Sequence, residues 1–251
     1  MAQSVVMEHF ATAAFVGFVF LLAGAVKGLI GLGLPTIAIG LLALAMPPAE
    51  AAGLLVLPSL VTNILQSCGP AWRVLLRRLW PMLLMLVPGT LAGIGLLTGG
   101  GALALGLLGL ALAAYGGWGL LTPPFLLPAR AERLSAVPVG LLGGLVTGAT
   151  GVFVMPVVPW LGALGLARDV LVQALGIAFL VATLALALAL AMQGSFTPLA
   201  AGQSLLALPP ALAGLALGNW LRGRIPPALF RRIFFASLVA LGGYLAWRGL
   251  A

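Results

Sequence analysis

Two short glycine-rich stretches carry the residues whose types could do chemistry. The first runs from Gly28 to Pro35 and directly follows Lys27, the sole lysine of the chain. The second runs from Thr147 to Pro156 and repeats the pattern about 120 residues later. Glycine lacks a Cβ atom and proline lacks a backbone donor, so each stretch predicts a helix break with unpaired N–H and C=O groups. Unpaired N–H groups at a helix end are suited to holding a small anion.

The composition indicates the surroundings of these breaks. Hydrophobic residues make up 63% of the 251-residue chain and charged residues only 6%, whereas soluble domains average about 25% charged residues. The mean hydropathy is +1.23, and apolar stretches recur from Phe10 to Ala251 without a long polar segment. Alternation of polar and apolar residues, typical of a membrane β-barrel, is absent. We therefore predict an all-α, polytopic integral membrane protein.

A proline-containing linker divides the apolar segments of the chain into five and five. We predict a first membrane repeat at 1–122, a cytoplasmic linker at 123–135 and a second membrane repeat at 136–251 within one transmembrane domain. An odd number of segments per half makes equivalent segments run in opposite directions, which is the inverted-repeat plan of many transporters. The predicted segments are 10–26, 29–46, 49–67, 79–98, 101–121, 137–150, 152–166, 170–191, 204–221 and 233–249.

Basic residues predict the orientation of these segments. When the loop with Arg73, Arg77 and Arg78 is placed in the cytoplasm, alternation puts nearly all other basic residues there as well, as the positive-inside rule requires. Both termini then lie outside the cytoplasm. Segments 137–150 and 152–166 are short against a hydrocarbon core of about 30 Å. Ten spans, and six spans with two re-entrant hairpins, therefore both stay open.

Paired helix breaks in two inverted halves are typical of a transporter's binding site. In that interpretation the ends of the two helix breaks, here called the tips, hold a small anion with their hydroxyl donors and one lysine charge. In the alternative, the glycines only allow close helix packing, and the lysine side chain extends to the cytoplasmic surface. The first interpretation gives this binding set: Lys27, Gly28, Gly31, Gly33, Pro35, Thr147, Gly148, Thr150, Gly151 and Pro156.

A polar stripe in the third segment adds further candidates. Ser59, Asn63 and Gln66 fall at i, i+4 and i+7, which is one helix face. Polar residues in an apolar span face the bundle interior, either as contacts between helices or as part of a pathway. Gln173 occupies the corresponding early region of the eighth segment, and we include it in the substrate-binding set.

Glu50 and Asp169 are two of only four acidic residues, and each begins the third segment of its half. A carboxylate at a helix N-terminus is stabilised by the helix dipole by about 0.3–1 kcal/mol. This capping role and a role in proton coupling or gating both stay open.

Several functions are not expected from this chain. One cysteine and one histidine allow neither an intrachain disulfide nor a Cys/His zinc site, and no nucleophile–base arrangement is visible. We expect no enzymatic activity, no cofactor and no metal. The net charge of +8 is explained by the positive-inside rule rather than by nucleic-acid binding.

Four features in order look like those of one known family. They are the glycine-rich break before a proline, its second copy as Thr-Gly-x-Thr-Gly, the Pro-Ser-x-x-x-Asn-x-x-Gln stripe from Pro58 to Gln66, and the basic loop that follows. Together, over roughly 12–248, they resemble the sulfite exporter TauE/SafE family of membrane permeases. One departure is the pair Val152 and Phe153, where the family often has more glycines. A bulkier tip implies a narrower site and a substrate that differs from sulfite.

The resemblance implies a carrier of sulfite, sulfonates, sulfoacetate or other organic anions in the bacterial inner membrane. It places the family's motif on Gly28, Gly31, Gly33, Pro35, Gly148, Gly151 and Pro156.

We therefore expect a secondary transporter, and by resemblance an exporter, that works by alternating access between inverted repeats. The chain has no Walker-type loop, so an ion gradient, for instance of protons, is the expected energy source. A passive anion channel and a non-transporting scaffold subunit are the alternatives. The expected partners are a small anion and lipid, not nucleic acid, and an oligomer is compatible with the sequence.

Overall fold

The computed structural model describes residues 2–123, 125–222 and 224–251. In these ranges the chain forms eleven α-helices and no strand, which confirms the all-α prediction. The helices are α1 (Ala2–Ile30), α2 (Leu34–Leu42), α3 (Pro48–Ser67), α4 (Trp72–Gly99), α5 (Ala102–Leu121), α6 (Ala129–Thr150), α7 (Val157–Gly162), α8 (Arg168–Met192), α9 (Pro198–Leu206), α10 (Leu208–Leu221) and α11 (Pro227–Leu250).

Seven helical stretches of the described chain are long and apolar enough to cross a membrane. Large apolar side chains such as Trp80, Leu84 and Leu188 are exposed on their outer faces. Extended exposed apolar surface of this kind marks contact with a membrane. The prediction of a polytopic membrane protein is thereby confirmed. The seven stretches are Ala11–Ile30, Pro48–Ser67, Trp72–Gly99, Ala102–Leu121, Arg168–Met192, Pro198–Leu221 and Ala228–Leu250.

Several long helices, among them α4 and α6, begin earlier than the apolar pattern predicts. The apolar run that predicts α4 begins at residue 79, but the helix begins at Trp72. Likewise, α6 begins at Ala129, inside the predicted 123–135 linker, and has 22 residues, or about 33 Å at 1.5 Å per residue. The first turns of both helices are rich in arginine, a good helix former that interrupts an apolar run. Counting apolar residues therefore misses these turns.

Both helix breaks lie where the sequence predicts them. α1 ends at Ile30 and α2 begins at Leu34, while α6 ends at Thr150 and α7 begins at Val157. α2 has nine residues and α7 has six, so they are only about 14 Å and 9 Å long. Neither can cross a hydrocarbon core of about 30 Å. Each break therefore joins a long helix to a short one, which excludes ten full helical spans.

Three helix pairs cross where glycines bring their backbones together, namely α1 with α10, α4 with α6, and α5 with α11. Close backbone approach at small residues is how helices associate in lipid. A Cβ atom added to any of the crossing glycines would lie less than 3.0 Å from backbone atoms of the partner helix. These glycines include Gly24, Gly28, Gly214 and Gly218 in the first pair, Gly89, Gly93, Gly140, Gly144 and Gly148 in the second, and Gly109, Gly116, Gly242 and Gly249 in the third.

The two most buried spans, α3 and α8, pack against each other inside this frame. Short helix α2 packs on α1 and α3, and α7 packs on α6 and α8. Each helix break therefore lies beside one of the two central helices. The polar stripe of α3 is positioned by this arrangement.

Candidate functional site

Lys27 is buried inside the protein. It lies on the last turn of α1, and its side chain is 2% exposed. Its ammonium donates to Oγ1 of Thr62 at 3.0 Å and to Oδ1 of Asn63, both on α3. Within the described ranges no carboxylate forms an ion pair with it. An intramembrane cation held by neutral groups is unlike a lysine that extends to the membrane surface, and it marks a candidate functional site.

A cavity of about 230 Å³ lies beside this ammonium. None of the residues that line it is acidic. An ammonium has three donors, and the described residues accept from two of them. The lining residues are Lys27, Gly31, Thr62, Leu65, Gln66, Val172, Leu215, Asn219 and Arg222. The cavity therefore combines two basic side chains with amide and hydroxyl groups.

Arg222 brings the second positive charge from the end of α10. Its Nε and Nη2 atoms donate to the carbonyl oxygen of Gly28 at 2.9 and 2.6 Å. Gly28 lies where α1 crosses α10, so the crossing holds the guanidinium near the cavity. The bond also pairs one of the carbonyls that the end of a helix leaves free.

Gln66 fixes the first break from the side of α3. Gly31 has a φ of 78° and donates its N–H to the carbonyl oxygen of Lys27 at 2.8 Å, which is a left-handed C-terminal cap that favours glycine. Nε2 of Gln66 donates to the carbonyl oxygens of Gly31 at 2.6 Å and of Val172 at 3.0 Å. The break is therefore tied to both central helices.

The basic groups that line the cavity are side chains, and most of the predicted glycine break does not line it. Gly31 lines the cavity, but Gly33 and Pro35 do not. Gly33 has a φ of 109° and packs against Val26 and Phe234, and Pro35 is buried in the first turn of α2. The predicted tip thus contributes one wall of the site.

The second break is buried, and apolar side chains follow it. Oγ1 of Thr147 donates to the carbonyl oxygen of Gly143 at 2.7 Å, and Oγ1 of Thr150 donates to that of Val146 at 2.7 Å and accepts from the N–H of Val152 at 3.2 Å. Val152 and Phe153 after them are at most 2% exposed. Gly148 lies in the crossing with α4, Gly151 caps α6 with a φ of 73°, and Pro156 follows a cis peptide bond before α7. The structure does not bring these residues to the cavity beside Lys27.

The polar stripe of α3 faces the interior, as predicted. Ser59 and Asn63 are fully buried. Nδ2 of Asn63 donates to Oγ1 of Thr183 on α8 at 3.1 Å, and Oγ of Ser59 has no hydrogen-bond partner within the described ranges. Asn63 therefore joins Lys27 to the second central helix.

The remaining predicted site residues lie elsewhere. Gln173 is buried and bridges the end of α3, because its Nε2 donates to Ser67 at 3.0 Å and its Oε1 accepts from Ala71 N–H at 3.2 Å. Glu50 and Asp169 are exposed in the first turns of α3 and α8, where neither caps the helix by a side-chain hydrogen bond. Glu50 lines a separate cavity of about 370 Å³, and Asp169 lines one of about 210 Å³.

Three polar residues that line the cavity are absent from the set predicted from the sequence. Thr62 adjoins the predicted stripe but lies one position off its face. Asn219 lies in α10, and Arg222 directly follows its last residue, Leu221. The glycine spacing shared by α1 and α10, with Gly24 and Gly28 against Gly214 and Gly218, is the signal that could have placed them.

Comparison with known proteins places the chain in a family. The profile of the family described as Sulfite exporter TauE/SafE matches residues 16–245, nearly the whole chain. The chain belongs to this family. TauE/SafE membership implies a multi-pass membrane transporter of the exporter class that acts on sulfur-containing anions. No curated protein and no solved structure gives a significant match.

Proposed function

We propose that this TauE/SafE protein is a secondary transporter that exports a small sulfur-containing or related organic anion. We place the bound anion in the cavity beside Lys27. The observation that carries this proposal is a buried ammonium without a carboxylate partner, next to a cavity that also contains Arg222. An uncompensated ion in the low-dielectric interior costs several kcal/mol, and an anion is the ligand that offsets this cost.

The size and chemistry of the cavity support a small oxyanion. About 230 Å³ accommodates such an ion together with a few waters, each of which takes about 30 Å³ in the liquid. Arg222 has further N–H donors beyond its bonds to Gly28, and a guanidinium matches the geometry of planar and tetrahedral oxyanions. Asn219 and Thr62 add neutral polar groups.

The pairing of helices supports the proposal of inverted repeats at 1–122 and 136–251. The spacing of 120 residues that relates Gly28 to Gly148 also separates the hydrogen-bonded pair Asn63 and Thr183. α1 packs on α10 through the first glycine, and α6 packs on α4 through the second. Each crossing joins one half to the other, and a pair of equivalent crossings is what a pseudo-two-fold axis between inverted repeats would produce.

We further propose that an ion gradient drives export and that the cytoplasmic leaflet faces the arginine-rich loop after α3. On this basis both termini lie outside the cytoplasm of a bacterial inner membrane. Glu50 is the candidate for proton coupling, since its carboxylate lines a cavity of about 370 Å³. An imposed proton gradient should then accelerate transport, and Glu50→Gln should remove that acceleration.

The deciding experiment uses liposomes that contain the purified protein. Uptake of labelled sulfite, a small sulfonate, sulfate and oxalate is measured with and without unlabelled anion loaded inside. Saturable counterflow of one anion supports a carrier. Flux that does not saturate supports a passive channel instead, and absence of flux from folded protein with every anion in the panel supports a scaffold subunit.

Lys27→Met tests the site itself. Removing one member of a buried ion pair costs about 3–5 kcal/mol, so we expect anion affinity to fall by more than about a hundredfold. Arg222→Gln should also weaken affinity. Arg224→Gln is the matched control, because that guanidinium lies 3.6 Å from the ring centroid of Trp220 and does not line the cavity. Wild-type affinity in Lys27→Met would remove the ammonium from the site.

A further inference from the structure

A second cavity, of about 360 Å³, lies at the ends of α5 and α7 and the start of α11. Its walls differ sharply from those of the cavity beside Lys27, and the two share no lining residue. Five aromatic rings surround it, together with aliphatic side chains and prolines. The rings are those of Tyr115, Trp118, Phe125, Phe234 and Phe235. Such a lining suits a ligand with a substantial apolar body.

One buried polar atom in this wall has no protein partner. Tyr115 is 2% exposed, and its hydroxyl makes no hydrogen bond with any described residue. The ring itself is held edge-on against Phe235, with centroids 5.2 Å apart. Buried tyrosine hydroxyls normally find a partner, because an unpaired buried donor destabilises the fold. A ligand acceptor in the cavity would supply that partner.

One charged residue stands in the same wall. Arg231 is the only charged residue among the described residues that line the cavity. Its Nη2 donates to the carbonyl oxygen of Gly119 at 3.1 Å, and its guanidinium carbon lies 5.7 Å from the ring centroid of Phe235. A guanidinium has five N–H donors, so this contact leaves others for a ligand. The cavity thus has a cationic edge and an aromatic interior.

We propose that this cavity is a binding site for an amphipathic anion. Its carboxylate, sulfonate or phosphate group accepts hydrogen bonds from Arg231 and from the Tyr115 hydroxyl, and its aromatic or branched body lies among the rings. Small hydrated oxyanions suit these walls poorly, because beyond Arg231 and Tyr115 the mainly apolar lining replaces little of the hydration that such an ion would lose. The site is therefore separate from the transport cavity proposed above.

The test measures equilibrium dialysis of labelled 4-phenylbutyrate against the purified protein in nonionic detergent, with protein-free micelles as the blank. The alcohol 4-phenylbutanol is the uncharged control. We expect saturable binding of the acid and at least tenfold weaker binding of the alcohol. Equal binding of the two compounds would overturn the proposal, because it would assign no role to the charge.

Variants locate the binding. Tyr115→Phe should weaken acid binding by about tenfold, since one hydrogen bond to a charged group is lost, while its thermal stability should equal or exceed that of the wild type. Arg231→Gln should weaken binding at least as much. Arg232→Gln is the matched control on the adjacent, exposed position, and it should bind as the wild type does. Wild-type affinity in both Tyr115→Phe and Arg231→Gln would refute the site.

The same anionic chemistry occurs in soluble acids and in acidic lipids. Nanodiscs of phosphatidylcholine and of phosphatidylglycerol distinguish the two sources. Weaker phenylbutyrate binding in phosphatidylglycerol supports a lipid headgroup as the natural ligand, and equal binding in both supports a soluble acid. Sulfite counterflow takes no part in this test, so each proposal can fail while the other stands.

Discussion

Replacing Gly28 by alanine would separate the two roles that the sequence allows for the first glycine break. A Cβ atom at this position would lie 2.7 Å from the backbone nitrogen of Asn219 and 2.8 Å from Cα of Gly218. Both atoms belong to the backbone of α10, which cannot rotate away as a side chain can. Ordinary contact begins near 3.4 Å, so α10 must move back by at least about 0.7 Å relative to the contact with Asn219.

The expected cost follows from this displacement. Overpacking of a close-packed interior costs about 1–3 kcal/mol, and a gap of about 0.5–1 Å removes a quarter to a half of the dispersion attraction between facing atoms. Gly17→Ala is the matched control in α1, because its Cβ would meet nothing within 4 Å. Both variants gain helix propensity of up to about 1 kcal/mol. The difference between them therefore isolates the crossing, at about 1–3 kcal/mol.

The assay is chemical unfolding of both variants in detergent, followed by anion counterflow in liposomes. Gly28→Ala should unfold at lower denaturant concentration than Gly17→Ala. It should also transport less, because Asn219 and Arg222 move with α10 away from Lys27. Equal stability of the two variants would refute the close approach of α1 and α10. Lower stability with unchanged transport would leave the crossing in place but separate it from the proposed anion site.

Two further predictions concern groups outside that crossing. Gln66→Leu should destabilise the protein by about 1–3 kcal/mol in thermal unfolding, because a leucine side chain cannot donate to the carbonyl oxygens of Gly31 and Val172. Wild-type stability would show that this amide does not hold the break. The hydrogen bond from Arg78, 2.6 Å long, lowers the pKa of the Glu132 carboxyl from its ordinary value. This ion pair therefore stabilises the folded state fully above the unfolded-state pKa of about 4.3. Its contribution is at most about 1 kcal/mol, because the pair is partly exposed. The contribution is lost as the pH falls through the lower folded-state pKa. Glu132→Gln should lose this pH dependence, and parallel stability curves below pH 5 for the variant and the wild type would contradict it.

The membrane fold could be predicted from the sequence because lipid imposes a simple rule. Backbone groups must be paired within each segment, so a chain of repeated apolar runs has to be helical. The breaks after Lys27 and after Thr147 could be predicted for the same reason, since glycine and proline act locally. The starts of α4 and α6 could not be predicted, because a count of apolar residues assigns their arginine-rich first turns to loops.

The candidate site could be predicted only in part. Lys27, Asn63 and Gln66 do lie together. A polar face of an apolar helix turns toward the protein interior whichever helix packs against it, so its position can be predicted locally. The proposed meeting of the two tips depends on long-range packing, and Thr147 and Thr150 instead bond within α6. Arg222 contacts Gly28 across 194 positions of sequence. Only the crossing of α1 with α10 brings this arginine to the cavity.

The hydrogen bond between Asn63 and Thr183 bears on how such a protein could have arisen. On the proposed repeat, these residues occupy the same position in the two halves, 120 residues apart. In an ancestral homodimer that position would face its own copy across a two-fold axis, and every nearby residue would occur twice. Fusion of two such copies in one gene would allow them to diverge, so that one position could become an amide donor and the other a hydroxyl acceptor. On the same repeat, Thr147 occupies the position in the second half that Lys27 occupies in the first. A fused chain can therefore bury a single ammonium where a symmetric dimer would have to bury two.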